Sequence, residues 1–470
     1  MMTLKKIGLR ILLTALLLTF AFLGIFEAAP ALILQPLNLA FVEKKDPMGQ
    51  HILDTQVPEY VQAEADDKLC FHHEVLDTEY SSEGASVADL NNDGLMDIAT
   101  GHYWYEAPSW KRHLIREPAY AATRLAGLSD YIKSYRAGKG AGGVWATSYP
   151  LAFFTFHEDV NKDGWIDTIA LDITSRGGAW FENPKGEGAW VEHPYVNASR
   201  NESPLYADLL QKGTPQVITG HKKAGATAGK LEAISFLADG SSTAEVIEEH
   251  DDSGNNGATN FSHGLGMGDI NGDGLPDLVF GSGAGIATGG WYEQQRGEDG
   301  ATQWKKHIIS PMVDASQIHV LNVGGDSKPD PVAGASHHRG LFWFEQQAEN
   351  SWKAHVIDDS YTQLHASAIG DIDGDGQLDI IAGKTPLAHF GLIDEDEFGT
   401  PVLYWYKKFK TEAGKTQFAR HLISDEVGVG RQISVIDIDG DNRLDVAVGN
   451  RNGVHIFLQR DAGTGATCGK

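Results

Sequence analysis

The chain has 470 residues and a formal net charge of −26, with 64 Asp and Glu against 38 Lys and Arg. This acidic balance argues against a nucleic-acid partner, because nucleic-acid-binding proteins present a basic surface to phosphates. The length exceeds what one hydrophobic core usually supports, which directs attention to repeated units.

The first 34 residues have the pattern of an export signal. Three basic residues precede an apolar run over 11–26, and small residues follow up to Ala31. This order is typical of a secretory signal, and cleavage after Ala31 is one interpretation. An uncleaved anchor is the other, because apolar residues continue at 32–34. In both cases we expect the remaining chain outside the cytoplasm, as a secreted, periplasmic or membrane-anchored protein that contacts a membrane only through this segment.

Three further regions come after the signal. Residues 35–68 are polar and irregular and are interpreted as a linker. Residues 69–460 contain all the repeated motifs of the chain, and residues 461–470 form a C-terminal tail. We expect 69–460 to be one domain and the protein to be a monomer.

A short acidic motif recurs five times in the main domain. Its first copy is Asp89-Leu-Asn91-Asn-Asp93-Gly94-Leu-Met-Asp97, with oxygen-bearing side chains at positions one, three, five and nine. Calcium prefers six to eight oxygen ligands at about 2.3–2.6 Å, so the motif predicts about five structural calcium sites. The predicted ligands are Asp89, Asn91, Asp93, Asp97, Asp159, Asn161, Asp163, Asp167, Asp269, Asn271, Asp273, Asp277, Asp371, Asp373, Asp375, Asp379, Asp437, Asp439, Asp441 and Asp445.

The motif differs from an EF-hand in its second half. Thr100 and Ala382 stand at position twelve of two copies, where an EF-hand has Glu, and a β-type run replaces the second helix. The unit is therefore strand, loop, strand. An Asp-rich turn without a metal is the alternative interpretation.

Each unit continues with two further predicted strands. An aromatic pair such as Trp104-Tyr105 marks the third, and a Trp-x-x-His-x-Ile pattern marks the fourth. Two weaker units begin at 208 and 322, which gives seven units about 58 residues apart on average. Four short strands per unit, repeated seven times, predict an all-β, seven-bladed β-propeller with four-stranded blades.

The two ends of the domain are complementary. The seventh unit stops after its third strand, and residues 70–75 fit the fourth-strand pattern loosely. An N-terminal strand is therefore predicted to complete the last blade and close the ring. The two cysteines, Cys70 and Cys468, lie in the segments that this closure joins, so a disulfide between them is predicted, with two free thiols as the alternative.

The acidic motif resembles the FG-GAP and VCBS repeat families. Residues 267–277, Met-Gly-Asp-Ile-Asn-Gly-Asp-Gly-Leu-Pro-Asp, match their pattern closely, and the resemblance covers residues 69–460. It implies a calcium-binding propeller and leaves function open, since such repeats occur in adhesins, integrin heads and exported lyases. The chain also looks, more weakly, like the propeller portion of aldos-2-ulose dehydratase and like exported propeller polysaccharide lyases.

The repeat also locates a candidate functional face. The residue six positions before each first ligand starts the strand that lines the channel, so these residues should surround one mouth of it. Five of the seven are ionisable and are predicted as catalytic residues: Glu83, Glu202, His263, His365 and Arg431. The loops after the second strands share that face, and the predicted ligand-binding residues there are His102, Lys222, His337, His338, Arg339, Lys384 and Arg451.

These residue types fit three functions. The first is binding of a carbohydrate or other acidic ligand, whose carboxylate Arg and Lys would hold. The second is a lyase or dehydratase that carries out β-elimination on an acidic sugar, with His as acid or base. The third is an adhesion or scaffold module without a small-molecule site. His263 and His365, with Glu83 or Glu202, could also ligate zinc or another divalent metal, although no zinc-type spacing is present.

Overall fold

The computed structural model describes residues 52–53, 56–63, 69–122, 148–172, 177–186, 188–197, 199, 201–221, 228–251, 263–281, 289–348, 351–388 and 394–461. Within these residues, no helix is both long and apolar enough to span a bilayer. The predicted export signal and Cys468 lie outside the described residues, so export and the disulfide stay predictions.

The described part of the chain contains the following strands, in chain order: β1 (Tyr60–Gln62), β2 (Leu69–Asp77), β3 (Ser86–Ala88), β4 (Asp97–Ala99), β5 (Tyr103–Glu106), β6 (Lys111–Leu114), β7 (Tyr120–Ala122), β8 (Ser148–Pro150), β9 (Ala152–Glu158), β10 (Asp167–Asp172), β11 (Gly178–Glu182), β12 (Val191–Val196), β13 (Leu205–Ala207), β14 (Gln216–His221), β15 (Ala228–Phe236), β16 (Ser242–Asp251), β17 (Leu265–Gly268), β18 (Asp277–Phe280), β19 (Gly289–Arg296), β20 (Thr302–Ile309), β21 (Ala315–Leu321), β22 (Asp330–Ala335), β23 (Arg339–Gln346), β24 (Trp352–Thr362), β25 (Ala366–Gly370), β26 (Asp379–Gly383), β27 (Leu403–Lys410), β28 (Thr416–Ser424), β29 (Ile433–Ile436), β30 (Asp445–Asn450) and β31 (Gly453–Asp461).

Seven sheets form the blades of a propeller, which confirms the predicted fold. Blades one to six are β3–β6, β9–β12, β13–β16, β17–β20, β21–β24 and β25–β28, each an antiparallel sheet in sequence order. The first strands of neighbouring blades lie against each other, as β17, β21, β25 and β29 do in turn. These inner strands therefore line the central channel.

The seventh blade closes the ring as predicted. Its strand order is β2-β31-β30-β29, so the N-terminal β2 supplies the outermost strand. His73 of β2 faces β31, where its Nε2 lies 3.0 Å from Nδ1 of His455 and its ring stacks on Phe457. Residues from the two ends of the domain thus share one sheet.

The apolar core is divided among the blade interfaces. Seven buried clusters occur in the described residues, and each joins side chains from two consecutive blades. The cluster between blades five and six, for example, packs Trp343 and Leu364 against Ile380 and Tyr406. Each added blade therefore adds one core layer, which explains how so long a domain stays well packed.

The repeated aromatic and histidine positions stabilise the blades themselves. In five blades the Trp of the third strand stacks on the His of the fourth, with ring centroids 4.0 to 4.3 Å apart. In blade one, Nε2 of His113 also lies 2.8 Å from a carboxylate oxygen of Glu106, two residues after Trp104. These outer histidines are structural, as their repeat position indicates.

The residue at position nine of each loop accepts hydrogen bonds from the backbone inside its blade. In blade seven, Asp445 accepts the N–H of Ile438 at 2.8 Å and of Gln459 at 2.7 Å. Blades three and five lack most predicted calcium ligands, yet Gln216 accepts the N–H of Leu210 and Asp330 accepts three backbone N–H groups. Position nine therefore has a structural role that needs no cation.

The region interpreted as a linker contains one strand that the sequence pattern does not predict. β1 pairs in parallel with β28 and gives blade six a fifth strand. Just before it, Glu59 accepts hydrogen bonds from Nε1 of Trp343 at 2.7 Å and from His355 at 2.9 Å. Three residues are too short a run to carry a strand signal, and an edge strand supplied by blade six stabilises them.

We expect Asp330→Ala to lower the free energy of unfolding by about 3 kcal/mol, because three buried N–H groups lose their acceptor. Asp326→Ala, in the exposed part of the same loop, is the control and should change it by less than about 0.5 kcal/mol. Urea unfolding followed by tryptophan fluorescence measures both. Equal stability of the two variants would contradict the assigned role of position nine.

Candidate functional site at the channel mouth

The seven residues six positions before each first ligand lie at the start of the inner strands or just before them. Six of them are buried, and only Glu202 is partly exposed. Their sequence is Glu83, Phe153, Glu202, His263, Ser316, His365 and Arg431 from blade one to blade seven. The mouth is therefore surrounded by enclosed ionisable side chains.

Two glutamines lie directly below this ring. Gln317 of blade five donates from Nε2 to the carbonyl oxygen of Arg431 and accepts the N–H of Ser367 at 3.1 Å. Gln432 exchanges two hydrogen bonds with the backbone of Thr155, at 2.8 and 3.1 Å. Gln317 therefore links blade five to blades six and seven, and Gln432 links blade seven to blade two, so polar side chains form a floor under the mouth.

One half of the mouth is organised around a buried arginine. Arg431 donates from Nε to Glu202 at 2.9 Å and from Nη1 to Glu83 at 3.3 Å, and its guanidinium lies 5.7 Å from the centre of the Phe153 ring. The hydroxyl of Tyr80 donates to the other oxygen of Glu83. Because a guanidinium stays charged, it offsets the cost of enclosing these two carboxylates beside it.

The other half is a cluster of three histidines from blades four, five and six. The ring centroids of His263 and His337 are 5.0 Å apart, those of His337 and His365 5.2 Å, and those of His263 and His365 5.6 Å. The rings are nearly perpendicular, at 77° to 83°. Nε2 of His337 lies 3.2 Å from Nε2 of His263.

Buried carboxylates surround this cluster. Nδ1 of His337 lies 3.1 Å from Asp394, and its Nε2 lies 4.0 Å from Asp314. Burial by itself would lower the pKa of His337, but the charges of Asp314 and Asp394 outweigh it and raise that pKa to about 9, with Glu202 acting in the same direction. The electrostatic field around the three rings therefore favours a positive charge.

The structure thus places the predicted zinc ligands in two separate halves of the mouth. His263 and His365 do lie together, as predicted, but their third neighbour is His337. Glu83 and Glu202 instead contact Arg431. A sequence alone does not show which cation lies closest to a carboxylate, and a part for Glu83 or Glu202 in a metal site stays a prediction.

Lys384 is enclosed at the edge of the mouth in blade six. Its Nζ donates to Oγ1 of Thr362 at 2.5 Å and to Oε1 of Gln363 at 3.3 Å, with Asp396 at 3.9 Å. Burial lowers the pKa of Lys384 to about 8, although the charges of Asp396 and Glu397 oppose that shift. The Lys384 side chain is 1% exposed, so these partners enclose its ammonium group.

The other predicted ligand-binding residues have different surroundings. His102 is fully buried, its Nδ1 lies 2.8 Å from the carbonyl oxygen of Ser81, and its Nε2 accepts the N–H of Ala119 at 3.3 Å, which gives it a structural role. Arg339 pairs with Glu395 at 3.1 Å. Arg451 lies 4.7 Å above the Tyr80 ring, next to the arginine half of the mouth. Lys222 lies outside the described residues, and His338 is half-buried beside His337.

The acidic loops have the turn geometry that the motif predicts. In blade one, the Asp89 carboxylate accepts the N–H of Asp93 at 3.1 Å and of Gly94 at 2.9 Å. Position six has a positive φ in all five copies, including φ 65° at Asn442, which replaces the usual glycine. Asn is among the few other residues that adopt this conformation readily. In blades six and seven, carboxylate oxygens of positions one, three and five lie within 4.8 Å of one another, so they could hold a cation.

Basic side chains approach some of these loops. Lys407 contacts Asp373 and lies 2.9 Å from Asp375 in blade six, and Arg460 lies 2.5 Å from Asp439 in blade seven. Blades six and seven are the ones with Asp in place of Asn at position three. The additional negative charge thus coincides with a nearby positive one.

Comparison with known proteins adds little to this geometry. No protein-family model and no curated protein matches the chain. Among solved structures, an Agrocybe aegerita lectin described as recognising non-reducing terminal N-acetylglucosamine is 14% identical with a TM-score of 0.39, over 77% of this chain and 82% of that chain. The rhamnogalacturonan lyase YesW is 14% identical with a TM-score of 0.40, over 83% of this chain and 75% of that chain. Likeness at this level carries no argument about function, and the resemblance to FG-GAP and VCBS repeats stays a prediction.

Several residues of the mouth were missed in the sequence. Asp314, Asp394 and Tyr80 stand outside the repeat positions, so counting along the repeat does not find them. A usable signal existed for Asp394, since it begins the acidic run Asp-Glu-Asp-Glu in the connection 384–402, the longest link between a second and a third strand.

We expect Arg431→Met to lower the free energy of unfolding by roughly 3–5 kcal/mol, because it leaves the buried Glu83 carboxylate without its cation. Glu83→Gln should recover a substantial part of that loss in the Arg431→Met background. Thermal unfolding of the two single variants and the double variant gives the coupling energy. Additive effects of the two substitutions would show that the pair is not the organising contact of this half.

Proposed function

We propose that the channel mouth binds a divalent transition metal on His263, His337 and His365, and that it binds a carbohydrate or other acidic, oxygen-rich ligand at the same place. The observation that carries the proposal is the triangle of three imidazole rings, of which those of His263 and His365 are buried and that of His337 is half-buried beside the carboxylates of Asp314 and Asp394. Imidazole is a preferred ligand for zinc and related metals.

The centroid spacing of the rings supports such a metal, which would bind once His365 turns a ring nitrogen toward the other two. An ion bound by a ring nitrogen at roughly 2.1 Å lies about 3.2 Å from the ring centroid, so three rings in tetrahedral directions have centroids about 5.2 Å apart. The three distances here are 5.0, 5.2 and 5.6 Å. The 3.2 Å between Nε2 of His337 and Nε2 of His263 also matches two nitrogens on one ion. Asp314, on the Nε2 side of His337, is the nearest candidate for a fourth ligand.

The arginine half supports binding of a polar ligand. Arg431, Glu83, Tyr80 and Glu202 supply donors and acceptors within one enclosed network, and the glutamine floor below them gives the site a closed base. Convergent polar groups over a concave surface suit a molecule with many hydroxyl groups. A carboxylate on that ligand would find positive charge at both the metal and Arg431.

Catalysis of a β-elimination is the second candidate, and one contact favours it. Tyr80 and Glu83 form a hydrogen-bonded pair opposite the histidine cluster, so a base and a cation face each other across the mouth. The base would take the proton next to the sugar carboxylate, the carbon–oxygen bond at the neighbouring carbon would break, and the departing oxygen would be protonated. A bound metal would stabilise the negative charge that develops on the carboxylate.

For the opposite face we propose calcium at the acidic loops of blades one, two, four, six and seven. The supporting geometry is the preformed turn and, in blades six and seven, the close grouping of three carboxylates. We also propose that the protein works outside the cytoplasm, on the strength of residues 1–34. A scaffold module without a ligand is the remaining alternative.

Zinc binding tests the mouth directly. We expect the metal-free protein to bind one zinc ion there by isothermal titration calorimetry, and His337→Ala to weaken that binding at least tenfold because one of three ligands is lost. His193→Gln is the matched control, since this histidine stacks on Trp180 in an outer strand, and it should bind zinc like the parent protein.

Carbohydrate binding is tested with the same protein variants. Uronate-containing polysaccharides should bind to the zinc-loaded parent protein more tightly than to His337→Ala, and absorbance of an unsaturated product would distinguish a lyase from a binding protein. Absence of zinc binding by the parent protein, or equal zinc binding by His337→Ala, would overturn the proposed metal site.

Calcium removal tests the loops separately. In the His337→Ala background, where the mouth metal is bound at least tenfold more weakly, we expect chelation to lower the melting temperature and added calcium, with no zinc present, to restore it, since calcium binds only the folded loops. Asp93→Ala and Asp273→Ala should each reduce the calcium-dependent increase. A melting temperature that does not respond to calcium would contradict the assignment.

A further inference from the structure

A run of four acidic residues, Asp394 to Glu397, lies in the connection 384–402 of blade six and faces the basic groups of the mouth. Asp394 contacts His337 at 3.1 Å, Glu395 contacts Arg339 at 3.1 Å, and Asp396 lies 3.9 Å from Lys384. Three successive carboxylates thus each approach a different cationic group of blades five and six.

The contact between Asp394 and His337 is more buried than the contact between Glu395 and Arg339. The Asp394 side chain is 1% exposed and that of His337 13%, whereas Glu395 and Arg339 are 32% and 30% exposed. An exposed ion pair contributes little because water screens it. A buried carboxylate requires a well-placed donor, so the contact between Asp394 and His337 strongly restrains both side chains.

The direction of the hydrogen bond between His337 and Asp394 determines which nitrogen of His337 is available to a ligand in the mouth. A carboxylate only accepts hydrogen bonds, so Asp394 requires a hydrogen on Nδ1 of His337. In the neutral ring, that leaves the lone pair on Nε2, the atom that lies 3.2 Å from Nε2 of His263. Carboxylates that hold metal-binding histidines in this way fix both the ring orientation and the tautomer.

We propose that Asp394 is a positioning residue of the mouth, which holds His337 in the tautomer and orientation that bind the metal. This inference rests on the proposed metal site. It assigns a function to the acidic run 394–397, which brings a carboxylate of blade six to a histidine of blade five. The affinity for the metal then depends on the position of this acidic run as well as on the three histidines.

The test compares zinc binding by the full chain and its Asp394 variants. We expect Asp394→Ala to weaken zinc binding by roughly 10- to 100-fold, the range typical of losing such a partner. Asp394→Asn should recover part of the affinity, because its amide oxygen still accepts the Nδ1 hydrogen. Glu395→Gln, the neighbouring carboxylate on Arg339, is the matched control and should remain within about twofold of the parent protein.

The visible spectrum of bound cobalt(II) provides a readout that a purely structural role would not change. We expect Asp394→Ala to alter the absorption bands, and Asp394→Asn and Glu395→Gln to retain them more closely. If Asp394→Ala does not fold, the comparison of Asp394→Asn with Glu395→Gln still decides, since only the former should weaken binding. Parent-like zinc affinity and cobalt spectra in both Asp394 variants would overturn the inference alone, whereas a parent protein that binds no zinc would overturn the metal site and this inference together.

Discussion

The buried acceptor at position nine of each loop is the contact on which the regularity of the propeller depends. Each one receives the backbone N–H of the residue just after the first loop position or close to it, and most also receive an N–H at the end of the third strand. A single side chain therefore fixes the loop to two parts of its own sheet. Gln216 and Asp330 retain this role in blades with weak acidic loops, so the blade does not depend on a cation to define its register.

That fixed register determines which side chains of different blades come together at the other end of the channel. Since each of these side chains stands six residues before its loop, in an inner strand or just ahead of it, seven unrelated side chains arrive at one level around the mouth. Glu83 and Arg431, distant in sequence, become neighbours only because β2 closes the ring. A rigid scaffold of this kind positions polar groups more accurately than flexible loops would.

The sequence predicts the features whose positions follow from this repeated register. It does not predict those that lie in connections outside the register. The seven blades, the closing strand and the meeting of His263 with His365 all result from counting along a repeat. Asp394, Asp314 and Tyr80 come from connections whose paths no repeat defines. The contacts of Glu83 and Glu202 with Arg431 are likewise absent from the pattern, because a sequence does not reveal distances. β1 was missed for a related reason, since blade six rather than its own three residues stabilises it.

The distribution of charge across the mouth explains why its two halves would act differently. In the arginine half, two carboxylates face a permanent cation, so much of their charge is already balanced. In the histidine half, Asp314 and Asp394 face the imidazole of His337, and their charges raise its pKa to about 9. A proton can meet that requirement for positive charge, but the proposed divalent ion would meet it more fully and would use all three rings. The same carboxylates that favour a proton on His337 in the absence of metal would therefore strengthen metal binding, and competition between the two should make zinc affinity rise with pH.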